Sequence, residues 1–491
     1  MCTNHHSTAD MPHRLLQDPG LPVPNPTTSY WQDPPNQDVL DIQSPSLPEK
    51  RDVVILGSGI TGLSVSWWLT QLLPTVSISV LDARQICSGA TGRNGGRINC
   101  TAVQDYAKYR KIFGNESAVQ IVRFELAHFN AIYEFAKQAG AEIFERSEVR
   151  RVGAVSAVFS EEKLFELRRM LEDFELAFPD LKGEWKIVGR TEAVEVYKIA
   201  NAHGALVGKA GAAWPYRMVT DVFANLQSKF TDRFSLEANT PAIAINREGT
   251  GDHPYNVVTP RGIIKAKHVV HCTEGHAAHL LPRLRGILVP RRGQITVQNP
   301  ASGFPKRSNS SWSFLIDDIL DYATQSPTTG HIIIGGGETG GKAEVLGIPS
   351  DAEEDILALS HLGGILPAAF GVSQWGHEVE SKTRIAASWT GILCNSLDKV
   401  PLVGMLTDKL LDRPAGNLES AEWISSGYGG YGMVNAFLCG KNLAHLIASA
   451  NMDANESLPE AYYITPERIE LLQRIVKKVL NSRQEHARAL L

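Results

Sequence analysis

Asp52-Val53-Val54-Ile55-Leu56-Gly57-Ser58-Gly59-Ile60-Thr61-Gly62-Leu63 decides the fold of this chain. The apolar run into Leu56 reads as a short strand buried on both faces. Leu63 to Leu69 then has helical spacing. Between them, Gly57 permits a tight turn, Gly59 lets backbone approach a pyrophosphate, and Gly62 lets the helix pack closely on the strand. The first helical residues, Ile60 and Thr61 among them, offer unpaired N–H groups and a positive dipole end to phosphates. A second apolar run, Val76 to Leu81, ends at Asp82, 20 residues after Gly62. A carboxylate there is placed to accept hydrogen bonds from an adenosine ribose, with Ala83 and Arg84 directly behind it. Strand, glycines, helix, strand and acid in register predict a dinucleotide site.

Working outward, Ser88-Gly89-Ala90-Thr91-Gly92-Arg93-Asn94-Gly95-Gly96 is small, glycine-rich and carries one cation. A nicotinamide dehydrogenase has no need of a second flexible loop just after its ribose acid, whereas a flavoprotein does. The segment resembles the GASGRNGG-type loop of the FAD-dependent, D-amino-acid oxidase-like (DAO) superfamily. Within it, the similarity is greatest to the gamma-glutamylputrescine oxidase group and its fungal relatives. The resemblance implies that Ala90, Thr91, Gly92, Arg93, Asn94, Gly95 and Gly96 lie along FAD and reach its isoalloxazine.

Composition narrows the alternatives. At 491 residues with 43% hydrophobic content, the chain can bury a large core, in one or two intertwined domains. A net charge of −5 without a Lys/Arg block argues against nucleic acid or an anionic membrane as partner. No uninterrupted run of 18 apolar residues is present, and Met1 to His6 lacks a charged-then-apolar pattern. The six cysteines are scattered, as expected of reduced thiols, and the expected location is cytoplasmic. His271 and Cys272 alternate across one strand and point apart, so no metal site is expected.

Along the chain, residues 1–50 read as a flexible N-terminal arm, in which Thr28-Ser29-Tyr30-Trp31 is expected to dock. Residues 51–140 form the first part of the FAD-binding domain, with a long amphipathic helix from Val119 to Gln138. Residues 141–204 open an inserted substrate domain, with a strand over Val149 to Val158 and a charged helix over Glu161 to Glu175. Residues 205–284 return to the cofactor domain. There, Thr240 to Ile245 reads as a strand carrying Ala242, and Ile263 to Thr273 as another, leading into Glu274-Gly275. The resemblance places Thr273 and Gly275 against the cofactor. Residues 285–386 are the second half of the substrate domain, where Arg291 to Val297 matches the family's RGQ strand. Tyr322 falls where relatives place a tyrosine over the ring. Gly335-Gly336-Gly337-Glu338-Thr339-Gly340 formally repeats the dinucleotide motif, yet no helix or acid-ended strand follows, so it reads as a turn in the substrate sheet.

Residues 387–491 hold the last part of the FAD-binding domain and the C-terminal helices. Trp389-Thr390-Gly391 through Gly404 resembles the family's W-x-G…D-x-x-P-x-V-G signature. Trp423 to Ser426 is a strand entering Gly427-Tyr428-Gly429-Gly430-Tyr431-Gly432-Met433, which opens a helix over Val434 to Ala448. The turn residues Gly430, Tyr431, Gly432 and Met433 are expected at the cofactor, the helix N-terminus stabilising charge on a reduced ring. Tyr431 stands where relatives commonly carry histidine. It is expected to shape the pocket without acting as base, with Tyr322 as its counterpart. Seven positions before Asp398, where sarcosine-oxidase-like relatives attach flavin through cysteine, stands Gly391, so non-covalent FAD is expected.

The predicted fold is thus α/β, a Rossmann-like FAD-binding domain of glutathione-reductase type with an inserted antiparallel-sheet substrate domain. The expected activity is oxidation of an amine or amino acid C–N bond to an imine. Oxygen serves as acceptor and peroxide as product. A dehydrogenase or desaturase of a fungal biosynthetic pathway, and a degenerate flavin-binding protein, are the alternatives.

Overall fold

The computed structural model describes residues 11–248, 251–316, 319–337, 345–377, 383–449, 452 and 456–481. Two sheets carry it. The strands are β1 (Lys50–Leu56), β2 (Ile78–Leu81), β3 (Arg97–Ile98), β4 (Arg150–Val158), β5 (Lys186–Gly189), β6 (Gly204–Ala212), β7 (Phe234–Glu237), β8 (Ala244–Arg247) and β9 (Tyr255–Thr259). After them come β10 (Gly262–His271), β11 (Leu288–Gln298), β12 (Ser310–Ile316), β13 (Ile319–Gln325), β14 (Ile332–Gly336), β15 (Ile385–Ser396), β16 (Leu402–Met405) and β17 (Glu422–Ser426).

The first sheet runs β16-β17-β10-β1-β2-β7, with the β8–β9 hairpin attached to β10. β17, β10, β1, β2 and β7 are parallel, which explains why Val53, Val54, Ile55 and Leu56 are all buried. Helix Ile60–Leu72 lies against helix Ala436–Ile447. They approach so closely at Gly440 that a Cβ there would stand 2.7 Å from the Ser64 Cβ and 2.8 Å from the Thr61 carbonyl.

The second sheet runs β15-β11-β14-β13-β12-β4-β6-β3, with β5 on β6. It is antiparallel except where β12 meets β4. Helix Ile356–Trp375 covers it, burying Leu362, Ile365, Leu366 and Phe370. This helix reaches a mean hydropathy of 1.6, long and apolar enough by length and composition to cross a membrane. The sheet covers Leu362, Ile365, Leu366 and Phe370, while Ile356, Leu357 and Val372 on the same helix are exposed.

Several expected boundaries move. The strand beginning at Gly204 was expected in the cofactor domain, yet it pairs with β4 along its whole length. β3, inside the expected cofactor segment, is the edge strand of the second sheet. The division at 386/387 falls inside β15, which pairs with β11 from Ile385 to Ser396. Small apolar strand residues suit either sheet, so composition alone does not assign them. Thr240 to Ile243 is not strand; Pro241 has no N–H for a ladder, and β8 begins at Ala244. The expected helix at 119–138 extends over Ala102–Ala139, broken at Gly114 (φ 82°). Gly335 and Gly336 are the last paired residues of β14, opposite Ile295 and Gln294 on β11, and not a turn, while Glu338, Thr339 and Gly340 lie outside the described residues.

The arm is the largest departure. Beyond the expected docking of Trp31, it is packed on the body from Arg14 onward, with Leu15 and Val39 buried. Trp31 sits edge-on to Trp214 at 4.9 Å, and the Trp214 indole N–H donates to the Trp31 carbonyl at 2.8 Å. An aromatic anchor and body side chains for its backbone outweigh the polar composition.

Candidate active site

The glycine turn leaves β1 at Gly57 (φ 102°), where any Cβ would come within 2.5 Å of the Cys272 carbonyl. A Cβ on Gly62 would meet the Gly57 carbonyl at 2.0 Å, so helix and strand touch through bare backbone. Helix Ile60–Leu72 starts at Gly59 with no side-chain cap. The Ile60 N–H donates instead to the Thr91 hydroxyl at 3.0 Å, which ties the glycine-rich loop to the turn. Asp82 accepts from the Ser58 and Arg84 amides, each at 3.0 Å, and burial raises its pKa.

A long cavity passes along this turn. It runs from Asp82, Ala83, Arg84 and Ala242, past Gly57, Gly59, Ile60, Thr61 and Thr91, to Thr273, Gly275, Gly430, Gly432 and Met433. Ala90, Asn94, Gly430 and Met433 also line a second chamber, so the two spaces meet there. Arg93, Gly95, Tyr322 and Tyr431 line only the chamber. Three expected cofactor residues line neither: Gly62, Gly92 and Gly96. Gly92 is pressed against the Cys87 carbonyl, and Gly96 against the Ala213 carbonyl and the Trp31 ring, so both are packing glycines. The Arg84 and Arg93 guanidiniums both pair with the buried Asp351, itself a lining residue of the first cavity, at 3.0 and 3.3 Å.

The second glycine turn has φ of 89° at Gly427, 62° at Gly429 and 92° at Gly430. Glu274, itself at φ 46°, holds it by accepting from the Gly427 and Tyr428 amides at 3.0 and 3.2 Å. Burial pushes the Glu274 carboxyl up to about 7. The helix expected to open at Val434 begins at Ala436. Gly432–Val434 first makes a single 3-10 turn, because Asn435 is held by Glu125 and Tyr462 and stops the helix from starting earlier. The expected helix end at Gly430 to Met433 is therefore a glycine turn.

The chamber measures ≈ 740 Å³, within the usual range for small-molecule sites. Strand alternation builds it. Arg291, Gly293 and Ile295 on β11 face it together with Gly391, Leu393 and Asn395 on β15. Tyr322 on β13 is opposite Gly335, whose missing side chain leaves room for the ring. Arg97 enters from β3. It donates to the Ser311 and Ser313 hydroxyls at 2.7 and 2.9 Å, and its guanidinium lies 5.4 Å from the Tyr322 ring centre. All these partners are neutral. Burial lowers the Arg97 pKa to about 10, which leaves it charged at neutral pH. Among the described residues no carboxylate lines this chamber.

The hydroxyl of Tyr431, a lining residue, donates to Asp105 behind the wall at 3.2 Å. The Asp105 charge and burial together raise the phenol well above its usual range. Asp105 also accepts from Thr101 at 2.6 Å. Cys100, Asp105 and Glu125 bring three ligand-type atoms within 4.8 Å of one another, but each already has hydrogen-bonding partners.

The first cavity fits a flavin dinucleotide. Gly59 is a cradle that a Cβ would fill, reaching 3.0 Å from the Thr91 hydroxyl. Ser88, in the lining, has a buried hydroxyl with no protein partner among the described residues. Arg97, Lys108 and the arm residues Gly20, Leu21 and Pro22 went unforeseen as lining residues. Arg97 alone had a readable signal, a cation entering a strand directly after the glycine loop.

Comparison with known proteins agrees. A family model described as FAD dependent oxidoreductase (DAO) matches residues 52–446. The gamma-glutamylputrescine oxidoreductase of Escherichia coli (strain K12) is 23% identical over 427 residues, covering 83% of this chain and 86% of that protein. The glycine oxidase structure from Geobacillus kaustophilus has a TM-score of 0.65 at 15% identity, over 85% of this chain and 99% of that one. L-proline dehydrogenase from P. horikoshii has a TM-score of 0.62 at 20% identity, over 83% and 96%.

Proposed function

This chain belongs to the FAD dependent oxidoreductase family, and we propose that it oxidises the C–N bond of a small amine bearing a carboxylate, an amino acid in the simplest case, with oxygen as acceptor. The observation that carries this reading is Arg97, a partly buried guanidinium at the chamber whose partners among the described residues are all neutral. A charge held out of water without an opposite charge is costly, and a substrate carboxylate supplies one through paired N–H···O bonds. When bound, FAD supplies the hydride acceptor and the route for electrons to oxygen.

The remaining roles belong to the protein. The Tyr431 hydroxyl spends its proton on Asp105, so its lone pairs are left to accept an N–H from the amine. A phenol held protonated orients the nitrogen without removing its proton. Ile295, Leu346 and Leu393 add apolar surface to a wall that also carries Lys108, Arg291 and Lys399, and limit water around the imine on their side. The similarity to proteins named for gamma-glutamylputrescine, glycine and L-proline supports an amine substrate of modest size.

The test is a peroxide assay over polyamines, amino acids and N-methyl amines, repeated with Arg97→Met. Carboxylate substrates are expected to turn over and to lose at least tenfold in kcat/KM in the variant, while amines without a carboxylate are unaffected. Equal loss for both classes would remove Arg97 from substrate recognition. Flavin reduction without peroxide would assign the electrons to another acceptor.

A further inference from the structure

The N-terminal arm meets the glycine-rich loop and the cofactor cavity at two places of different character. Its inner part, Ser29 to Gln32, is fixed to the glycine-rich loop. The Ser29 hydroxyl donates to the Gly92 carbonyl at 2.7 Å, the Trp31 indole to the Asn94 carbonyl, and the Gln32 amide to the Gly92 carbonyl at 3.0 Å. Trp31 is 2% exposed, so this part is a permanent piece of the core. The outer part, Asp18 to Val23, lies across the far end of the cavity. Gly20, Leu21 and Pro22 line it there, together with Asp82, Ala83 and Ala242.

Polar contacts hold this outer part. His276 bonds the Gly20 carbonyl at 3.0 Å, and an Arg84 N–H reaches the Val23 carbonyl at 3.2 Å. Asp18 pairs with His279 at 2.9 Å and Arg285 at 2.7 Å, all three side chains partly open to solvent. Exposed pairs of this kind are weak and exchange with water readily. Between the two parts, Pro24 and Asn25 are exposed. Thr27 is tied down again by its N–H to the Asp351 carbonyl at 2.8 Å.

We propose that residues 18–23 are a third wall of the FAD site, closing its adenosine end as a hinged strap that must lift before the cofactor enters or leaves. The strap runs between a buried root at Ser29 and Trp31 and a second anchor at the buried Arg14 and Leu15, with exposed Pro24 and Asn25 as its hinge, so lifting it releases that second anchor as well. The glycine turn and the loop at Ala90 to Asn94 hold the cofactor along its length. The strap covers the side from which it is loaded. Linkage then makes the effect mutual: whatever factor the strap adds to cofactor affinity, the cofactor adds to strap docking. The inference rests on the family's FAD dependence and not on the substrate, and its test uses no substrate.

The experiment takes full-length holoenzyme with a protease site inserted between Asn25 and Pro26. It is cleaved while folded and freed of the 1–25 fragment by gel filtration. FAD release is then followed by flavin fluorescence. Release at least tenfold faster than from the uncleaved enzyme is expected, and an unchanged rate would overturn the proposal. The uncut protein supplies an independent reading by hydrogen exchange. Amides from Gly20 to Thr27 are expected to exchange several-fold faster after FAD is stripped, with those of β11 unchanged. Identical arm exchange with and without FAD would equally refute the strap.

Discussion

At the scale of single residues, the site rests on how buried charges are partnered. Tyr431 donates its proton to Asp105 and stays a phenol. Tyr431→Phe is therefore expected to lose no more than about tenfold in kcat/KM, the worth of one hydrogen bond of about 1 kcal/mol. Tyr431→Ala should raise KM. Loss of single-turnover flavin reduction in Tyr431→Phe with FAD still bound would make the tyrosine an acid or base. Glu125 offers a pH test. Burial, with the Asp105 charge adding to it, pushes its carboxyl from 4.5 up to about 8. The folded protein thus holds a proton that the unfolded chain releases above 4.5, so this group's contribution is full below that pH and is lost as pH rises towards 8. One oxygen accepts from Tyr109 and Asn435, while the other faces Cys100, so Gln fits with its amide toward the sulfur. Glu125→Gln should fold and show a flatter decline of Tm between pH 5 and 8; an unaltered slope would mean the proton sits elsewhere. Neither Asp105 nor Glu125 was legible in the sequence. Gly57, Gly59 and Asp82 were, because a dinucleotide turn needs those residues at fixed spacing. Asp105 and Glu125 meet Tyr431 only through tertiary packing.

At the scale of elements, strands and helices were legible through period and punctuation, while their membership of a sheet was not. β1, β10 and β17 each run as apolar stretches into glycine or acid, a pattern that strand burial imposes. β6 and β15 have similar small apolar residues but belong to the second sheet, since partners distant in sequence decide pairing. Within the arm, Trp31 is buried as its docking requires, while the polar composition hid that Arg14, Leu15 and Val39 are buried as well. The contact between helices Ile60–Leu72 and Ala436–Ile447 depends on a bare backbone at Gly440. Gly440→Val places carbon against Ser64 and Thr61, and is expected to cost about 1–3 kcal/mol. Its urea midpoint should fall and its FAD affinity with it, because Thr61 lines the cavity. A midpoint equal to the parent's would show that the helices separate freely.

At the scale of the whole molecule, the two sheets are fastened across the cofactor loop by Arg84, Asp351 and Arg93, all nearly excluded from solvent. Asp351→Asn leaves two buried guanidiniums without their carboxylate and is expected to cost about 3–5 kcal/mol. Urea unfolding of the holoenzyme measures it, and a loss under about 1 kcal/mol would mean solvent reaches the pair. FAD is expected to be held without a covalent bond. Cys394 lies between Leu393 and Asn395, which face the chamber, and so points to the opposite side of β15 among Leu288 and Ile424. Acid precipitation should release all the flavin; colour in the pellet would contradict that. The interleaving of the sheets also constrains how the protein is made. β1 pairs with β10, and β10 with β17, so the cofactor sheet draws on residues from Lys50 to Ser426. On the ribosome, the nascent chain cannot close its nucleotide cradle until the second glycine turn has cleared the exit tunnel. For most of synthesis, half-formed parallel strands wait with exposed edges, a state prone to aggregation and in need of chaperones.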